Sequence, residues 1–156
     1  QCAERSLLIV TPYFLPDASL ISALNVAALR GVSVEILIPQ HGNEKLVQWA
    51  CEAQLWQLVN RGCQIRKTHP PFDHTKLVIV DDDWILMGSA NWDPRSLRLN
   101  FEFDIECYSH SLTATMQRIF VAKKSASDVV AMNELQSRSL PVRLRDGVAR
   151  LASPFL

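Results

Sequence analysis

A chain of 156 residues, 48% apolar and 21% charged, is long enough to bury a core and reads as one globular domain, 1–156. Sixteen Lys and Arg balance sixteen Asp and Glu, and this zero net charge weighs against a nucleic-acid binder. No apolar run approaches the ~18 residues of a membrane span, no signal peptide is visible, and the start at Gln1 leads us to expect a processed or excised piece, itself soluble.

Residues 6–11 (Ser-Leu-Leu-Ile-Val-Thr) read as a buried strand and 12–16 as a loop, with Asp17 a helix N-cap. Leu20, Ile21, Leu24, Ala27 and Ala28 form a helical stripe that ends at Gly31. Residues 32–38 are the next strand, stopped by Pro39, so a parallel β-α-β unit with a right-handed crossover is expected. Tyr13 and Phe14 fall at a strand's C-terminal end, where they either line a ligand pocket or anchor the loop. A second helix spans 44–60, closed by Gly62, with Trp49 and Trp56 on one face and expected in the core. Residues 64–67 form a short strand leading to the loop 68–73, where His69 is a weaker candidate acid. Cys2, Cys51, Cys63 and Cys107 lack C-x-x-C spacing, and the four histidines make no H-x-x-x-H pair. Reduced thiols, no metal and no cofactor are expected.

The chain's chemistry gathers in 74–102. His74, Lys76 and Asp81 read H-x-K-x4-D; Gly88-Ser89-Ala90-Asn91 and Glu102 follow. Leu77-Val78-Ile79-Val80 is a β-branched run, read as a buried strand, and alternation puts His74 and Lys76 on one side of it. Asp81 has the opposite parity and is expected to brace the loop 81–83 or pair with backbone, rather than touch substrate, before the return strand 84–87. Gly88 marks a close backbone approach. The expected division of labour is chemical. The imidazole of His74 is a nucleophile or general acid, and Glu102 fixes its tautomer. Lys76 holds a phosphate oxygen, while Ser89 and Asn91 donate hydrogen bonds to the pentacoordinate phosphorus. Arg95 and Arg98 either bind a phosphate headgroup or lie in a solvated loop. Asp93 reads as a turn former and Glu106 as structural.

Residues 110–124 are helical, with Leu112, Met116, Ile119 and Phe120 as the core face. The tail 136–156 is basic and amphipathic: Leu140, Leu144, Val148, Leu151 and Phe155 recur at helical spacing among four arginines and Asp146. It either docks on its own domain or lies on an anionic membrane surface.

H-x-K-x4-D followed by G-S-x-N resembles the signature of the phospholipase D superfamily. Residues 88–102 and Thr11-Pro-Tyr-Phe-Leu-Pro16 are similar to its bacterial cardiolipin synthase branch, and 153–156 look like a family C-terminus. The resemblance implies an α/β half-domain with a mixed sheet flanked by helices, and Asp81 joins His74, Lys76 and Glu102 in the implied catalytic set. It implies phosphatidyl transfer between two phosphatidylglycerol molecules through a phosphohistidine, without metal, at the bacterial inner membrane. Two facing motifs are needed, so a second motif-bearing half must come from the same longer chain or a homodimer partner. For a carboxy-terminal half, the resemblance favours His74 as acid/base. The alternatives are a lipid-hydrolysing phospholipase D, a single-motif homodimeric nuclease, and a non-catalytic interaction module.

Overall fold

In a computed structural model that describes residues 2–156, strands and helices alternate as the apolar patterning demands. β1 (Ser6–Val10), α1 (Ala18–Leu29) and β2 (Ser33–Pro39) form the expected unit, with β1 and β2 parallel. The Asp17 carboxylate accepts the Leu20 N–H as N-cap, and Gly31 turns the chain at φ +91°. After α2 (Lys45–Glu52) and α3 (Leu55–Val59), β3 (Gln64–Thr68) pairs parallel to β2. β4 (Leu77–Val80) and β5 (Trp84–Gly88) form an antiparallel hairpin. Then come α4 (Pro94–Arg98), β6 (Asp104–Tyr108), α5 (His110–Ser125), β7 (Ser127–Val129), α6 (Met132–Gln136), α7 (Leu140–Leu151) and a 3-10 turn, Ser153–Phe155.

The result is a mixed seven-stranded sheet in the order β6-β5-β4-β1-β2-β3-β7. Strand alternation divides the core between its faces. Ile9, Ile36, Ile38 and Val78 pack on the side of α1, α2 and α3, whereas Val10, Leu37, Leu77, Ile79 and Ile85 meet Phe120 of α5 on the other. Because β4 runs antiparallel to β1, its N-terminal end lies beside the C-terminal end of β1. This brings the H-x-K segment next to Tyr13.

Three packing expectations change. The helix predicted over 44–60 is two helices, broken at Ala53 and Gln54. Its core face is that of Ala50, Cys51, Leu55 and Leu58, across the helix from the two tryptophans. Trp56 is therefore 50% exposed, while Trp49 is partly buried at the edge of the core, with Arg145 of α7 over its ring at 4.4 Å. On α5, Leu112 and Met116 pack inward as expected, but Ile119 is 41% exposed and Thr113 is buried in its place. The tail docks on its own domain, yet with its apolar stripe outward: Leu140, Leu144, Val148, Leu151 and Phe155 are all more than half exposed.

Candidate active site

His74 sits on the segment entering β4, held by the preceding residue. Asp73 accepts the Thr75 N–H at 3.1 Å and the Thr75 hydroxyl at 2.6 Å, and it is ion-paired with Lys123 of α5. Lys76 is the last residue before the strand, on the same side as Val78. Its ammonium lies 2.9 Å from His74 Nδ1, 3.2 Å from Nε2 and 3.1 Å from the His74 carbonyl oxygen. A neutral imidazole offers one lone pair, so one of the two ring contacts is a hydrogen bond. Tyr13 stands edge-on to the imidazole, with ring centroids 6.0 Å apart, and Phe72 lies at 5.9 Å. Partial shielding of the ring, then the Lys76 charge, pull the His74 pKa below its ordinary value, against the opposing pull of Asp73. Desolvation lowers the Lys76 pKa as well, while Glu102, Asp93 and Asp73 favour the ammonium.

A hollow of about 150 Å³ opens beside this pair, lined among others by Lys76, Asn91, Trp92 and Leu97. Its wall depends on Gly88. A Cβ there would come within 2.3 Å of the Phe103 carbonyl oxygen and 2.2 Å of Asp104 Oδ1, so the glycine lets β6 close on β5. Ser89 continues that junction: its hydroxyl donates to Glu102 Oε2 and accepts the Phe103 N–H at 2.9 Å. The Ser89 hydrogen bond, then that from Asn100, hold the Glu102 carboxyl below its usual pKa. Asn91 donates from Nδ2 to Ser96 Oγ at 3.1 Å, and its buried Oδ1 has no partner.

Four expectations are corrected by these contacts. Glu102 does not orient His74 within this chain; its two oxygens are taken by Ser89 and Asn100, because both lie on the same loop-to-strand junction. Ser89 has one proton and gives it to Glu102, so it does not point a donor outward. Asp81 stands at the other end of β4 from His74 and cannot share its chemistry. Its carboxylate accepts backbone N–H groups of Glu4, Arg5 and Ser6 at 3.1, 2.8 and 2.8 Å, the bracing that its strand parity predicts. Burial opposes its ionisation, but those three donors win and its pKa falls. Arg98 is paired with Asp17 at 2.8 Å, which draws its guanidinium toward the start of α1; Arg95 is exposed. His69 is paired with Asp128 of β7, away from His74. Of the two loop aromatics, Phe14 is 1% exposed and packs on Trp92, while Tyr13 reaches His74.

Ser96 was not foreseen. It is 5% exposed, its hydroxyl accepts the Asn91 amide, and its N–H donates to the capping Asp93 carboxylate at 2.7 Å. Asp93, the N-cap of α4 with Pro94 behind it, is itself buried and contributes negative charge at Lys76. The D-P-x-S spacing is a helix-start signal, and it is what locks Asn91 in place. Among the described residues no three His, Cys, Asp or Glu side chains cluster to hold a metal ion.

Known proteins resemble this chain at two levels, fold and sequence. In fold, the chain superposes on a phospholipase D family member, Nuc from Salmonella typhimurium, with TM-score 0.72 and 23% identity over 83% of this chain and 84% of that one. The phosphatidylserine synthase of Haemophilus influenzae Rd KW20 gives TM-score 0.76 and 22% identity over 99% of this chain and 42% of that one. In sequence, it is 38% identical over 154 residues to the major cardiolipin synthase ClsA of Bacillus subtilis (strain 168), and 33% identical to the cardiolipin synthase of Clostridium perfringens (strain SM101 / Type A). Each of these alignments covers 99% of this chain, which spans about a third of the relatives' length, 32%. The family description "Cardiolipin synthase, PLD-like domain" matches residues 1–124, a stretch that holds every site residue described above. By that match, and by a fold that sets the H-x-K pair beside the G-S-x-N turn, the chain belongs to the PLD-like domain family of cardiolipin synthases.

Proposed function

We propose that residues 1–156 act as one motif-bearing unit of a phosphatidyltransferase, joining two phosphatidylglycerol molecules into cardiolipin and glycerol at the inner face of a bacterial membrane. The observation that carries this reading is the His74–Lys76 contact, with Lys76 and Asn91 lining one hollow. A phosphate oxygen entering the hollow competes for the Lys76 ammonium and frees the imidazole. The lowered His74 pKa keeps that imidazole neutral at pH 7, as a nucleophile or base requires. Turning the Asn91 amide by 180° preserves its contact with Ser96, with the serine now donating, and puts an N–H where the unpartnered oxygen lies. That donor then serves the developing phosphorane.

The chemistry has two steps. An imidazole nitrogen attacks phosphorus, a phosphorus–nitrogen bond forms, and the bond to the departing glycerol oxygen breaks as an acid protonates it. The terminal hydroxyl of a second phosphatidylglycerol then attacks, loses its proton to the same acid/base, and releases the imidazole. Two imidazoles are required, and His74 is one. His69 is held by Asp128, and His110 bonds the Asp82 carbonyl at the far end of the hairpin. A second motif half, from the same longer protein or an identical partner, supplies the other. An uncovered apolar rim beside Glu102 supports this: Leu99, Phe101 and Phe103 are 72%, 107% and 73% exposed next to the sheet-edge strand β6.

The test offers phosphatidylglycerol vesicles and, separately, plasmid DNA to the protein and to its His74→Ala variant, with light scattering at two concentrations. Cardiolipin that forms only with His74 present supports the reading, and cardiolipin made equally by the variant removes His74 from it. Phosphatidic acid as the sole product points to hydrolysis, and nicked DNA without lipid product to a nuclease.

A further inference from the structure

α7 docks the opposite way from an ordinary surface helix, whose apolar stripe faces its own core. At about 100° per residue, Leu140, Leu144, Val148 and Leu151 fall within roughly 80° of arc, a continuous stripe. All four are exposed, at 66%, 61%, 67% and 79%. The opposite face, carrying Asp146 and Ala149, turns inward. A polar clasp holds it there. Asp146, 1% exposed, is ion-paired with Arg138 and with Arg145, and the Arg145 guanidinium covers Trp49 of α2. The Arg138 guanidinium also donates to the Glu52 carbonyl oxygen at 3.1 Å.

This clasp sorts the charges. Between Leu140 and Leu156 the acids comprise Asp146 alone, and it is buried. Arg143 and Arg150, on the flank of the stripe, are exposed, and no carboxylate pairs with either among the described residues. The exposed stripe and flank of α7 are thus apolar and cationic. Across a groove of about 1030 Å³ from Leu144 and Leu151 stands the half-exposed Trp56, an amphipathic ring of the kind that settles at a lipid–water boundary. The ridge also leads to the site. Phe155, 85% exposed, belongs to the 3-10 turn that packs against α4, the helix that begins two residues after Asn91 and Trp92.

We propose that the outward face of α7, with Arg143, Arg150 and Trp56, is a docking surface for an anionic bilayer, seating the protein with α4 and the hollow beside the headgroup layer. A bilayer of acidic lipid offers apolar depth and a negative rim together, which is the pairing this face presents. The choice of lipid rests on the phosphatidyl-transfer reading; the docking itself is measured without turnover.

Vesicle flotation with the His74→Ala protein tests it, on phosphatidylcholine vesicles with and without phosphatidylglycerol. Binding is expected only with the acidic lipid and should weaken as salt rises. Arg143→Gln with Arg150→Gln should weaken binding about twenty-five-fold, since each basic residue near an acidic surface contributes about fivefold. Leu144→Asp with Leu151→Asp should weaken it about a hundredfold or more. Thermal melts of both variants should match the parent, because the altered side chains face outward. Binding indifferent to both variants, or none to acidic vesicles, overturns the proposal. So does a concentration-dependent dimer that the leucine variant abolishes, which would assign the face to a second copy. With His74 restored, turnover of monomeric short-chain phosphatidylglycerol separates the two readings. Its absence with a second motif half present, as the full-length protein or as the dimer, while vesicle binding persists, sinks the transfer reading and leaves the docking surface standing.

Discussion

The two ends of β4 carry the two ends of one signature, and they are built for opposite purposes. At the entry, His74 and Lys76 keep an imidazole and an ammonium together, and neither makes a salt bridge among the described residues. At the exit, roughly 13 Å of strand away, Asp81 gives its carboxylate to three backbone N–H groups of the segment entering β1. One end presents an imidazole and an ammonium, and the other holds backbone in place. Sharing a motif therefore does not mean sharing a reaction: the aspartate fixes the register of the strand whose other end presents the histidine.

The sharpest way to break this contrast is His74→Ala, expected to lower phosphatidyl transfer by about 10⁴-fold or more with the melting temperature unchanged. Loss of stability in place of rate would move His74 to the structural side. Lys76→Met should cost about 10²–10³-fold in transfer rate, and it carries a second signature. The ammonium disfavours the imidazolium, so its removal should raise the His74 pKa, read by NMR titration. The neutral imidazole is lost as pH falls, so the acid limb of the rate profile, placed below about 6.5 in the parent, should move to higher pH.

Asp81→Ala tests the other end. It should destabilise the fold by about 2 kcal/mol at pH 7, measured by urea unfolding, with less direct loss of rate than Lys76→Met. The sign with pH follows from a folded pKa held below the unfolded value of about 3.9. Asp81 contributes stability above that value and loses it as pH falls through the folded pKa, so parent and variant should converge in acid. The smallest effect is expected for Arg98→Ala: an exposed ion pair with Asp17 contributes about 0.5 kcal/mol or less, and transfer should change by less than about twofold. A tenfold loss of rate would mean that Arg98 leaves Asp17 for phosphate.

Much of this was legible in local pattern. The β-α-β start, the Asp17 cap, the hairpin around 81–83 and the bracing role of Asp81 all follow from periodicity and parity, which are properties of neighbouring residues. Gly88 was legible as a close approach, though only the folded chain names its neighbour, the backbone of Phe103 and Asp104. The assignment of Glu102 to His74 failed for a definite reason. Alternation predicts the face of a strand on which a side chain lies, but Ser89 and Asn100 are nearer and satisfy the carboxylate first. Ser96 was overlooked because a serine on a short helix has no chemistry of its own; burial against Asn91 gives it one. Trp56 and the α7 stripe illustrate the same limit. Spacing identifies an apolar face, and only packing decides whether it turns in or out.

The sequence by itself determined the motif, its spacing, and the sheet whose strands carry it, because covalent order and side-chain periodicity suffice for these. Tertiary structure alone decided which carboxylate meets which donor, and which face of α7 was left to the outside. Those outcomes depend on competition among groups distant in the chain: the buried Asp146 takes Arg138 and Arg145, and among the described residues no carboxylate pairs with Arg143 or Arg150.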